Sequence, residues 1–70
     1  MMYKVFEYDR VKGSALSKAT ECDDVDDARV VARSMAAQWC EDEEPVLVEQ
    51  SDMYEIYGGN SDFGALLLAN

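Results

Sequence analysis

One segment of this chain spaces its apolar residues with the period of a helix, and the rest reads as strands. Val25, Ala28, Ala32, Met35 and Trp39 fall at steps of three, four, three and four, which is one apolar stripe of an amphipathic helix. Val31 and Ala36 widen the stripe, while Arg29 and Arg33 lie with Asp26 on another face. The spacing predicts a helix over 24–41. Asp23 or Asp24 is placed to cap its first turn by accepting a backbone N–H that has no helical partner, and Pro45 forbids its continuation. A single helix cannot bury its own stripe, so the remaining residues must supply a surface to cover it.

That surface is a sheet. Tyr3-Lys4-Val5-Phe6-Glu7-Tyr8 is β-branched and aromatic and ends at Asp9, the composition of a strand. Gly13 serves the following turn because it can take a positive φ. Residues 15–22 alternate, with Leu16, Lys18, Thr20 and Cys22 on one side, and read as a second strand antiparallel to the first. Beyond the helix, 45–50 and 53–57 are strands separated by a turn at Ser51-Asp52. A flexible connection, 58–62, leads to 63–68, which reads as a strand returning in a hairpin, with a short terminal helix as the competing reading. The expected fold is α+β: a single amphipathic helix packed on a four- to five-stranded antiparallel sheet, in the order β-β-α-β-β(-β). With 70 residues, one domain fills the chain (1–70) and about 60% of the unfolded surface is buried. Trp39, Tyr3, Phe6 and Tyr8 are expected in the core. Tyr54 and Tyr57 point to opposite sides of their strand, so one of them projects outward.

Composition then removes most functions. Apolar residues make up 49% of the chain, which is the density of a folded domain in spite of a net charge of −9. The longest apolar run, 65–69, is far short of the ~20 residues that span a bilayer. The opening residues lack a basic-then-apolar signal pattern, so a soluble, cytoplasmic protein is expected. A sequence pI near 4.1 repels phosphates, which argues against direct nucleic-acid binding and against an anionic membrane surface.

There is no histidine. Cys22 and Cys40 flank the expected helix and stand about 25 Å apart on it, too far for a disulfide. They read as buried, inert thiols, and no zinc site can be written. Asp23, Asp24, Asp26 and Asp27 are hard oxygen ligands without the spacing of a calcium loop, and Asn60–Asp62 is equally thin. With no histidine base, nucleophile elbow or phosphate-binding glycine loop, the chain is expected to be neither an enzyme nor the holder of a cofactor or metal.

The acids themselves are the remaining signal. Nine of the fifteen fall in two runs. One is Glu21, Asp23, Asp24, Asp26 and Asp27; the other is Glu41, Asp42, Glu43 and Glu44. Acids at a helix N-terminus complement its dipole, so the first run has a ready structural reason. The second lies at the wrong end, where each carboxylate near the last turn costs about 0.3–1 kcal/mol. Duplex DNA carries about one charge per 100 Å² of cylinder surface, whereas −9 spread over this chain gives about one per 490 Å². Uniform charge does not imitate DNA; clustered charge can. Lys4, Arg10, Lys12 and Lys18 all precede the helix, but Arg29 and Arg33 interrupt the face between the clusters.

The layout also resembles a known group. A short acidic chain opens with the strand Tyr3-Lys4-Val5-Phe6-Glu7-Tyr8. The helix pattern Ala28-Arg29-Val30-Val31-Ala32-Arg33 follows, and then the strand pieces Val46-Leu47-Val48 and Gly64-Ala65-Leu66-Leu67-Leu68. This is similar to the small anti-CRISPR proteins of phages and mobile elements, particularly type I inhibitors with one helix on an antiparallel sheet. The resemblance implies a stoichiometric inhibitor in the host bacterial cytosol that binds a Cas surveillance complex, and several members of the class mimic DNA. Together with the acidic runs, it leads to the expectation of a monomer or dimer whose nine carboxylates occupy a basic DNA groove of that complex. The alternative is a small acidic interaction module that uses a sheet edge and exposed tyrosines.

Overall fold

The computed structural model describes residues 2–69 as one helix across a six-stranded antiparallel sheet. The strands are β1 (Tyr3–Asp9), β2 (Ser14–Ala15), β3 (Thr20–Cys22), β4 (Val46–Gln50), β5 (Tyr54–Gly58) and β6 (Phe63–Ala69), and the helix α1 (Val25–Ala37) falls between β3 and β4. The spatial order is β2-β1-β6-β5-β4, with β3 also beside β1. The α+β expectation holds, with one strand more than the sequence suggested. The last segment is a strand, not a helix, and it pairs with β1 along its whole length from Tyr3↔Ala69 to Asp9↔Phe63.

The expected strand over 15–22 is broken in two. β2 pairs with the far end of β1 (Tyr8↔Ala15) and β3 with its start (Tyr3↔Cys22). Between them the Ser17 hydroxyl accepts the Glu7 N–H at 3.0 Å. A side chain there takes the place of a backbone carbonyl, as serine readily does. The preceding turn follows the sequence: Gly13 has φ 71°, and the buried Asp9 carboxylate accepts the N–H groups of Val11 and Lys12, both at 3.0 Å.

The helix ends at Ala37, not near 41. Tight turns from Trp39 N–H to Ala36 O (3.1 Å) and Cys40 N–H to Ala37 O (3.0 Å) unwind it. Trp39 thus leaves the helical stripe and packs its ring on Phe63, 5.7 Å between centroids. Cys22 and Cys40 are free and half-buried rather than fully buried, since one sits on a sheet edge and the other in the unwound turn.

The two sides of the sheet differ. On one, Ala28, Ala32 and Ala36 are fully buried against Val5, Tyr57, Ala65 and Leu67. Small side chains at steps of four let the helix backbone sit close to the strands, and Tyr57 and Val5 supply the bulk. The other side carries Phe6, Tyr8, Tyr54, Ile56, Leu66 and Leu68, which the strand register aligns across β1, β6 and β5. No helix covers it. Among the described residues, no helix is long and apolar enough to cross a membrane.

Candidate functional site

The acidic runs keep their exposure. All nine carboxylates are on the surface, but the sheet separates one from the rest. Glu21 pairs in register with Lys4, which places it on the side of β3 away from the helix. The other eight flank α1: Asp23, Asp24, Asp26 and Asp27 at its start, and residues 41–44 in the loop beyond its end. Thirteen helical residues separate the two groups by about 20 Å.

The first group keeps its place at the positive end of the helix dipole, with Asp26 and Asp27 in the first turn, but the expected side-chain cap is not made. Asp24 is the N-cap residue, yet its side chain makes no capping hydrogen bond; its backbone carbonyl accepts the Ala28 N–H instead, at 3.0 Å. The early end of α1 puts residues 41–44 beyond its last turn. The dipole acts within that turn, so the expected cost of these four acids largely disappears.

Three of the basic side chains are engaged by groups within the fold. Arg10 donates from Nη1 to the carbonyls of Gly59 and Ser61, both at 2.8 Å, and ties down the loop before β6. Arg29 reaches Glu55 with Nε at 3.1 Å and Nη2 at 2.9 Å. The Arg33 guanidinium lies 5.5 Å from the centre of the Tyr57 ring, a distance at which a cation is attracted to the ring face. Arg29 and Arg33 therefore lean toward β5 rather than standing between the clusters, as the sequence alone suggested. Among the described residues, Asp26 is the one member of the nine with a cation within 4.0 Å, at 3.9 Å from Arg29.

Sequence reasoning passed over the most chemically dense point. Glu55 is 7% exposed and accepts from Arg29 by both oxygens, from the Tyr57 hydroxyl at 2.7 Å and from Gln50 Nε2 at 3.3 Å. Arg29, chiefly by hydrogen bonding, holds the Glu55 carboxyl below the ordinary carboxylate range against the opposing effect of burial. Burial and then the same carboxylate push the Tyr57 hydroxyl up. The residue types resemble an acid–base centre, but no buried side-chain polar atom among the described residues lacks a partner. The cluster ties the helix to the sheet. Its signal was available: Glu55 shares a strand face with Tyr57.

Two surfaces remain open. Tyr54 is the tyrosine that turns outward; its hydroxyl bonds Glu49, which chiefly raises its pKa. With Tyr8, Ile56, Leu66 and Leu68 it lines a shallow depression of about 270 Å³ on the uncovered face. The second surface is the β4 edge. The helix packs over β1, β6 and β5 and leaves β4 largely uncovered, so all five β4 residues are exposed. A groove of about 720 Å³ runs between it and the helix, lined by Arg33, Ser34, Ala37, Glu44, Pro45, Val46 and Leu47. The described residues contain no group of three or more carboxylates or cysteines placed to hold a metal ion. In comparisons with family models, curated proteins and solved structures, none matches this chain.

Proposed function

We propose that this protein is a non-enzymatic inhibitor of a phage-defence system, an anti-CRISPR that binds a Cas surveillance complex by offering carboxylates in place of DNA phosphates. The observation that supports this reading is that seven of the eight helix-flanking acids, all but Asp26, have no cation within 4.0 Å among the described residues, while three arginines are engaged within the fold. A basic groove would meet two anionic groups about 20 Å apart, the rise of roughly six base pairs. Glu21 contributes least, because it faces the other way. Binding of this kind is steered by charge, fast and salt-sensitive.

The test replaces Glu41, Asp42, Glu43 and Glu44 with their amides, then adds amides at Asp23, Asp24, Asp26 and Asp27. Capture of a DNA-handling complex at about 50 mM salt, competed by duplex DNA, is expected to weaken with the first set and disappear with the second. Inhibition that survives both sets rules the mimic out. A second reading, an interaction module whose acids serve solubility, is favoured by the uncovered sheet surfaces around Tyr54 and along β4. It expects capture that persists at high salt and breaks on Tyr54→Ser.

A further inference from the structure

The two edges of the sheet end differently. On one, β2 has two residues and β3 three, and the Ser17 hydroxyl interrupts the ladder between them. On the other, β4 runs for five consecutive residues, with one irregular step between Leu47 and Glu49. Val46 is 57% exposed, Leu47 41% and Val48 38%. Short, interrupted edges resist pairing with other chains, whereas a longer edge with exposed apolar side chains is more open to it. Lysine, a common guard of such edges, is absent from β4.

The groove beside β4 is large enough to take a side chain. Its floor is Val46 and Leu47, and its wall is the helix at Ser34 and Ala37. Glu44 lies at its rim and residues 41–43 precede it, while Glu49 stands on the other face of β4, where it accepts from the Tyr54 hydroxyl. Arg33, the basic residue of the lining, is held over the Tyr57 ring.

We infer that β4 is a docking edge for an extended segment of a partner protein that carries lysine or arginine. The segment joins the sheet as a further strand, lays an apolar side chain in the groove and sets its cations against Glu44 and Glu49. Backbone hydrogen bonds supply the affinity in this mode, and the side-chain contacts supply the selectivity. Charge decides against a second copy as the occupant. An antiparallel β4 pair centred on Val48 would set Glu44 against Asp52 of the other copy, and juxtaposed like charges oppose association. The inference rests on the interaction-module reading and not on phosphate mimicry.

Hydrogen–deuterium exchange on the full chain tests it, with a capped seven-residue peptide of alternating lysine and valine as the probe. The same peptide with glutamate for lysine is the control. At about 50 mM salt the lysine peptide is expected to slow exchange at residues 46–50 about fivefold or more, with residues 14–22 unchanged. Val46→Lys and Val48→Lys, both at exposed positions, should keep the far-ultraviolet spectrum and abolish that protection. Equal protection by the glutamate peptide, protection at 14–22 instead, or none at 46–50 overturns the inference. So does concentration-dependent dimerisation that Val48→Lys abolishes. A natural partner captured through Tyr54 with β4 unprotected overturns the docking edge and leaves the module reading standing.

Discussion

The two faces of this sheet are made from the same strands but follow different rules. The helix-covered face is tight: Ala28, Ala32, Ala36 and Ala65 are completely buried, and the buried Glu55 carboxylate is bonded through both oxygens. The opposite face carries Phe6, Tyr8, Ile56, Leu66 and Leu68 with no helix over it. Ile56 and Leu66 there reach 8% and 9% exposure by packing on neighbours across the strands, Phe6↔Leu66 and Ile56↔Leu66. One face is closed by tertiary packing, and the other by its own side chains alone. Volume changes should therefore be costly on the first and cheap on the second.

The largest effect is expected where both faces depend on one contact. A Cβ on Gly64 would stand 2.2 Å from the Tyr57 carbonyl oxygen, a backbone atom of the adjacent strand. Gly64→Ala should cost about 3 kcal/mol or more and leave much of the chain unfolded, which a thermal melt reads directly. Next comes the helix seat. Ala32→Leu inserts volume at a fully buried position and should cost about 1–3 kcal/mol, a fall in Tm of roughly 4–20 °C for a domain of this size. An unchanged Tm would mean the closed face is not tightly packed.

Glu55 gives the pH-dependent member of the series. Its folded pKa is depressed, so its stabilisation is present above the ordinary carboxylate value of about 4.3 and is lost as pH falls through the lower folded value. The native chain should therefore lose stability more steeply below about pH 4.3 than Glu55→Gln does, as melts at successive pH values would show. Glu55→Ala leaves the Tyr57 hydroxyl without its acceptor and should cost about 2 kcal/mol at neutral pH. The smallest effect is expected on the open face: Leu68→Thr should change stability by less than about 1 kcal/mol. A larger loss would show that this face is more than a self-covered surface.

Much of this was legible in the residues. The stripe at Val25, Ala28 and Ala32, the opening strand and the glycine turn at Gly13 are local patterns, and local sterics and period decide them. The ends of elements were less legible. Trp39 fits the helical period, yet Phe63, 24 positions later, offers its ring a better place, and the helix stops at Ala37. The strand over 15–22 breaks because the Ser17 hydroxyl meets Glu7, a contact that no local spacing reveals.

The class of fold, the acidity and the absence of histidine chemistry follow from composition and from residue periods of two and of 3.6. The tertiary structure decided which charges remain available. Three arginines are engaged by Glu55, by the Tyr57 ring and by the carbonyls of the loop before β6, Glu21 is carried to the far side of the sheet, and eight carboxylates are left flanking the helix. Those outcomes depend on strand order and register, which bring together residues many positions apart, and no count of charges along the chain contains them.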